Sequence, residues 1–270
     1  MPHLLALERR PDGGDQHAFP FSVPAVRALE RLDLSATVTF FVGENGSGKS
    51  TLLEGLAAAA GLPTVGSHDV ARDDSLSAQR RLGDALRLTW RTRARRGFFL
   101  RAEDFFGFTK RLGELRAELQ ASIAEVNAEY DAQERSDYAR GLALGPLRAS
   151  LHELEERYGH DLDAMSHGQS FLRLFESRFV PGGLYLLDEP EAPLSPHSQL
   201  ALLAMLGEMV ARDAQFVVAT HSPILLAFPG ARIYSFDDGP VRTVPYEELP
   251  HVTVTRDFLQ APERFLRHLR

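Results

Sequence analysis

The run Thr37-Val38-Thr39-Phe40-Phe41-Val42 is β-branched or aromatic and too apolar to alternate, which is how a strand covered on both faces reads. It ends at Gly43. After a glycine-rich stretch, Ser50-Thr51-Leu52-Leu53-Glu54-Gly55-Leu56 and an alanine run bring apolar positions back every three or four residues, predicting a helix. Two more apolar runs, Leu184-Tyr185-Leu186-Leu187 and Phe216-Val217-Val218-Ala219, stop at Asp188-Glu189-Pro190 and at Thr220-His221-Ser222-Pro223. An amphipathic helix is predicted between them over 199–211. Strands alternating with helices predict βαβ units, and so an α/β fold with a mostly parallel sheet covered by helices.

The middle of the chain follows a different pattern. Residues 111–157 are rich in Glu, Arg, Ala and Leu at helical spacing and are interrupted near 141–146, predicting two helices. The expected organisation is a single domain over 1–270 with a helical insertion at 105–165. Residues 256–270 place Phe258, Leu259, Phe265, Leu266 and Leu269 on one face of a predicted packing helix.

Composition narrows the chemistry. The sequence contains no cysteine, which excludes disulfides, Cys-ligated zinc, iron–sulfur clusters and cysteine nucleophiles. A chain of 270 residues buries enough surface to need none of them for its core. The formal net charge of −7 argues against a generally basic coat for nucleic acid and leaves only local patches. No stretch approaches the roughly 20 apolar residues of a membrane span, and the apolar segment 1–7 is too short and lacks the basic start of a signal peptide. A cytoplasmic location without membrane insertion is therefore expected. Lysine occurs only at Lys49 and Lys110, which draws attention to both.

Gly43-Glu44-Asn45-Gly46-Ser47-Gly48-Lys49-Ser50 matches the phosphate-loop pattern G-x-x-x-x-G-K-[ST], with a predicted buried strand before it and a helix after it. Gly43, Gly46 and Gly48 permit a tight loop whose N–H groups, with those of Asn45, Ser47 and Thr51, converge on phosphate oxygens at a helix N-terminus. Lys49 suits the β and γ phosphates of ATP, and Ser50 suits Mg²⁺. Asp188 and Glu189 end a strand on the edge where ligands bind in open α/β sheets. There Asp188 suits the metal, and Glu189 suits accepting a proton from the attacking water or orienting it. His221 ends the third run on the same edge, within reach of a γ phosphate, so Glu189, His221 and Lys49 form the candidate catalytic set.

This order of motifs resembles the ATP-binding-cassette (ABC) and SMC class of P-loop ATPases, which includes transporter subunits and DNA-repair ATPases, and within it small stand-alone bacterial AAA-family ATPases. The resemblance covers the chain from Phe19 onward. In that class a sequence like Leu-Ser-Gly-Gly-Gln precedes the Asp-Glu pair; here Met165-Ser166-His167-Gly168-Gln169 does so, with Ser166 lying 22 positions before Asp188. His167 replaces the first glycine. The resemblance implies that Ser166 and Gly168 cap the γ phosphate bound by the opposite subunit of an ATP-sandwiched homodimer. Ser195 stands where transporter-type members usually carry an aspartate, which resembles stand-alone or DNA-associated members. No Q-loop glutamine is evident, and Glu103 is the substitute in that region. The aromatic stacked on adenine is expected at Phe19 or Phe21, with a core role as the alternative for each.

Arg87, Arg91, Arg93, Arg95, Arg96 and Arg101 crowd one segment without an acid among them, and Leu86, Leu88 and Trp90 alternate with the first of them as in a half-buried strand. The arginines are expected to share a face. It is either a solvated face or a contact for a nucleic-acid backbone. The expected activity is Mg²⁺-dependent ATP hydrolysis by a homodimer that drives an unknown protein partner, with nucleic acid as a further candidate. The alternatives are the ATP-binding subunit of a transporter, and a binding switch with little turnover.

Overall fold

The computed structural model describes residues 1–11, 14–65, 77–133, 136–158, 167–237 and 239–267. The chain divides into two units, Met1–Ala102 with Phe179–Arg270, and Glu103–Arg178.

In the first unit β1 (Leu4–Arg9), β2 (Arg31–Asp33) and β4 (Leu86–Trp90) form an antiparallel sheet in the order β2-β1-β4, with the four-residue α1 (Pro24–Arg27) lying between β1 and β2 in the chain. The main sheet has the order β5-β6-β7-β3-β8-β9, built from β3 (Val38–Val42), β5 (Gly97–Arg101), β6 (Leu184–Asp188), β7 (Gln215–Ala219), β8 (Arg232–Ser235) and β9 (Arg242–Thr243). All its pairings are parallel except β8 with β9. The fold is α/β with a mostly parallel sheet. Every residue of β3, β6 and β7 is buried, as uninterrupted apolar runs require when helices cover both faces. α2 (Lys49–Ala60) follows β3 directly and is packed against by α3 (Ser77–Ala85); a Cβ on Gly55 of α2 would lie 2.6 Å from Leu82 of α3, so only glycine allows that approach.

Gln215 joins the two sheets. Its buried amide accepts from the N–H groups of His3 and Leu4, each at 2.8 Å, and donates to the carbonyls of Leu4, Leu34 and Ala36 at 2.9, 2.7 and 3.1 Å. Buried amides are retained only when satisfied in this way.

The second unit is helical. α4 (Ala102–Ala132) enters it, and α5 (Asp137–Tyr158) and α6 (His167–Arg178) complete it. Phe105 packs edge-on to Phe171 at 4.6 Å, Phe171 to Phe175 at 4.7 Å, and Phe108 to Tyr158 at 5.6 Å, while Arg116 pairs with Glu155 at 3.3 Å. The helix break expected near 141–146 falls earlier, between Ala132 and Asp137. Ser136 Oγ accepts the Ala139 N–H there and caps α5, whereas Gly141, Gly145 and Pro146 all lie inside that helix.

At the other end α7 (Pro196–Ala211) spans the helix predicted over 199–211, and the short α8 (Pro223–Leu226) follows β7. The predicted packing helix at 256–270 is corrected. α9 (Pro250–Gln260) and α10 (Pro262–Leu266) replace it, because Pro262 forces Ala261 out of helical geometry. Phe258, Leu259, Phe265 and Leu266 are exposed rather than packed into the core, Leu259 by 72%. Leu269 lies outside the described residues.

Candidate nucleotide site

The site lies in the first unit at the carboxyl ends of β3, β6, β7 and β8. Gly43, Gly46 and Gly48 all have positive φ, at 148°, 82° and 103°. A side chain on Gly48 would meet Val23 at 2.5 Å, and one on Gly43 would meet Ser47 Oγ at 2.9 Å. Glycine is therefore needed twice, for conformation and for space. Asp237, just past β8, accepts the Glu44 N–H at 2.7 Å and pins the start of the loop. α2 begins with no side-chain cap and no acid in its first turn, which leaves its N–H groups and partial positive charge for an anion. Ser47 Oγ is buried without a partner among the described residues; Asn45 is exposed, and Thr51 is half-buried on the first turn of α2.

Lys49 is only 4% exposed, and its Nζ donates to the Gly43 and Glu44 carbonyls at 2.7 and 3.0 Å. Burial lowers its pKa, opposed by the charges of Glu189, Asp188, Asp237 and Glu44. The Ser50 hydroxyl donates to Asp188 Oδ1 at 3.2 Å. Asp188 ends β6 and is buried; desolvation, reinforced by Glu189 and Glu54 against the relief from Ser50 and Lys49, pushes its pKa up to about 7. Glu189 has φ +50°, a left-handed conformation costly outside glycine, and is held by its N–H donating to the Ala219 carbonyl at 2.9 Å. Its Oε1 lies 3.7 Å from His221 Nε2. His221 is half-buried, and burial lowers its pKa, with Lys49 and His251 adding to the effect and Glu189 and Glu44 opposing it.

Sequence reasoning missed three side chains, Glu191, His251 and Asp237, and assigned a fourth, Arg101, only to the arginine segment. Glu191, half-buried and with its pKa raised by desolvation, accepts the His221 N–H at 2.7 Å. His251, on the first turn of α9, shares a 3.0 Å hydrogen bond with His221 Nδ1. Asp237 holds the loop. Arg101, opposite Asp188 in the β5–β6 pairing, binds Glu54 of α2 at 3.2 Å. The Asp-Glu-Pro-Glu run held the signal for Glu191; for the other three, the contacts arise only from strand order and helix docking.

Other expected residues fall elsewhere. Gly168 is buried on α6 in the helical unit, and Ser166 lies outside the described residues. Glu103 is exposed in the first turn of α4, in that same unit. Phe21 is 4% exposed within the core cluster, while Phe19 is 52% exposed. Of these two rings only that of Phe19 is open to stacking. The six arginines do not share one face: Arg87 stands opposite Glu8 in the small sheet, Arg91, Arg93, Arg95 and Arg96 are exposed after it, and Arg101 ends a strand of the other sheet. Among the described residues no helix is long and apolar enough to cross a membrane.

The fold and the site are those of a P-loop nucleotide-binding domain, and the chain is similar to AAA-domain and ABC-type ATPases. An AAA-domain family model described for the AbiEii toxin of type IV toxin–antitoxin systems matches residues 108–227, and a second AAA-domain model matches residues 21–82. The macrolide export ATP-binding/permease protein MacB of Salmonella choleraesuis is 28% identical over 231 residues, covering 83% of this chain and 32% of its own length. MacB of Hahella chejuensis is 27% identical over 253 residues, covering 91% of this chain and 35% of its own. The chain thus spans about a third of the length of these curated relatives. Among solved structures, a nucleotide-free ATP-binding cassette from an ABC transporter has a TM-score of 0.47 at 18% identity, covering 93% of this chain and 98% of its own. The SMC head domain from Thermotoga maritima has a TM-score of 0.45 at 15% identity, covering 90% and 99%.

Proposed function

We propose that this chain binds Mg²⁺–ATP at the phosphate loop and hydrolyses it as an ATP-sandwiched homodimer whose closure and reopening drive a partner. The supporting observation is the convergence of Lys49, the Ser50–Asp188 pair, and Glu189 beside His221 on one sheet edge next to an uncapped helix N-terminus. The Ser50–Asp188 pair fits a divalent cation, because a positive charge would relieve a carboxylate that burial and acidic neighbours disfavour. No group of three or more His, Asp or Glu side chains among the described residues forms a self-sufficient metal site, so phosphate oxygens would complete the shell. When bound, the ion supplies charge neutralisation on the β and γ phosphates. Lys49 leaves its two carbonyls for phosphate oxygens, Glu189 orients the water or takes its proton, and His221 donates Nε2–H to the γ phosphate. Ser166 and Gly168 of a second copy are assigned to that phosphate from the opposite side.

The test is sedimentation of Glu189→Gln, which keeps shape and removes the base. It is expected to be a monomer without nucleotide and a stable dimer with ATP and Mg²⁺, and adding Ser166→Arg is expected to abolish the dimer. An unchanged mass despite measured ATP binding would refute the sandwich. A second reading, an energiser docked to membrane subunits, is favoured by the export relatives; co-purification of an integral membrane protein with the ATP-locked variant would support it.

A further inference from the structure

We propose that His251 is a positioning residue that holds His221 in one tautomer, with Nε2 protonated and facing Glu189. The role rests on the assignment of His221 to the γ phosphate. His221 Nδ1 and His251 Nε2 are 3.0 Å apart, so one must donate and the other accept. His221 Nε2 and His251 Nδ1 are both buried with no hydrogen-bond partner among the described residues. The two arrangements consistent with neutral rings differ in what those outer nitrogens carry. If His221 donates, its Nε2 presents a lone pair to Glu189 Oε1 at 3.7 Å, acceptor against acceptor, and His251 is left with a buried N–H that has no acceptor. If His251 donates, His221 Nε2 carries the proton toward that carboxylate oxygen, and the unsatisfied atom on His251 is a bare acceptor. Orphaned buried donors are the rarer and costlier defect, and the contact with Glu189 turns from repulsive to attractive. The second arrangement is therefore assigned. It is also the tautomer that offers a donor to a phosphate oxygen.

The support is rigid where it matters. His251 sits on the first turn of α9, between Leu249 at 1% and Val252 at 6% exposure, and the preceding Tyr246 hydroxyl donates to the Pro223 carbonyl at 3.1 Å, two residues beyond His221. The His221 N–H is separately tied to Glu191. One partner thus fixes the backbone of His221 and another its ring. The charged groups that act on this ring, Lys49, Glu189 and Glu44, lie on the phosphate-loop segment and at the end of β6, whereas His251 comes from α9.

The experiment compares wild type with His251→Phe, which keeps a ring and removes the donor, and His251→Gln, which keeps a donor. Long-range ¹H–¹⁵N correlation of histidine-labelled protein without nucleotide, with His221→Gln to assign the signals, reads the tautomer directly. A bare Nδ1 and protonated Nε2 on His221 are expected in wild type and in His251→Gln, with a mixed or reversed tautomer in His251→Phe. Wild-type His221 protonated at Nδ1, or a tautomer unaffected by His251→Phe, overturns the proposal. In ATP turnover, kcat of His251→Phe is expected to fall roughly 10–100-fold with little change in KM, and His251→Gln to recover most of it. A wild-type chain without turnover would overturn the hydrolysis reading alone, since the tautomer measurement needs no nucleotide.

Discussion

Asp188 concentrates the conflict that a nucleotide site builds into single residues. Its folded pKa of about 7 lies well above the ordinary carboxylate value, so the folded chain holds this proton more tightly than the unfolded chain does. The sign follows: the site favours folding most below about pH 4, and that contribution is lost as pH rises toward 7 and the buried carboxylate takes its charge. The excess stability of Asp188→Asn over wild type is thus expected to grow by up to about 4 kcal/mol between pH 4 and pH 8 without divalent cation, measured by urea unfolding. A difference independent of pH would contradict the burial of Asp188. Lys49, Ser50, Asp188, Glu189 and His221 were readable in the sequence because each sits in a contiguous motif at a strand end. Glu191 was readable only as part of a motif, and Asp237, His251 and the pairing of Arg101 with Glu54 not at all, since residues 44 and 237, or 221 and 251, become neighbours only through strand order and the docking of α9.

Elements with uninterrupted apolar runs were legible, and so were β4, whose Leu86, Leu88 and Trp90 alternate with polar neighbours, and the helices of the insertion. β3, β6, β7 and α7 follow their sequence patterns, while β1 runs Leu-Leu-Ala-Leu into Glu8 and Arg9 without alternation and β2 has only three residues, so nothing in their periodicity marks them. What secures β1 is Gln215, a polar residue at the start of an otherwise apolar strand. Gln215→Leu would leave two N–H groups and three carbonyls without this partner, five hydrogen bonds in all. A loss of about 2–5 kcal/mol is expected in urea unfolding, with faster amide exchange at His3 and Leu4. Near-wild-type stability would mean that those groups find water instead.

Across the whole molecule, an acidic chain carries a local basic segment. Arg91, Arg93, Arg95 and Arg96 remain exposed after β4, and Arg101 is removed from that group by its bond to Glu54. If the exposed group meets a nucleic-acid backbone, binding should weaken steeply with added salt, and combined Arg91, Arg93 and Arg95 substitution to alanine should lower the slope of log affinity against log salt by about 2–3. No mobility shift at low salt, with or without ATP, would return the segment to a solvated surface.

The chain's single tryptophan, Trp90, is half-buried on β4 opposite Leu4 of β1, and the helical unit Glu103–Arg178 contains none. Tryptophan emission, excited selectively over the tyrosines, is therefore a local witness that follows the antiparallel sheet and not the phosphate loop or the long helices. Circular dichroism at 222 nm is weighted the other way, toward α4 and α5. A melting curve recorded by emission and one recorded by ellipticity watch different halves of this protein, and any gap between their midpoints measures how far the two units come apart independently.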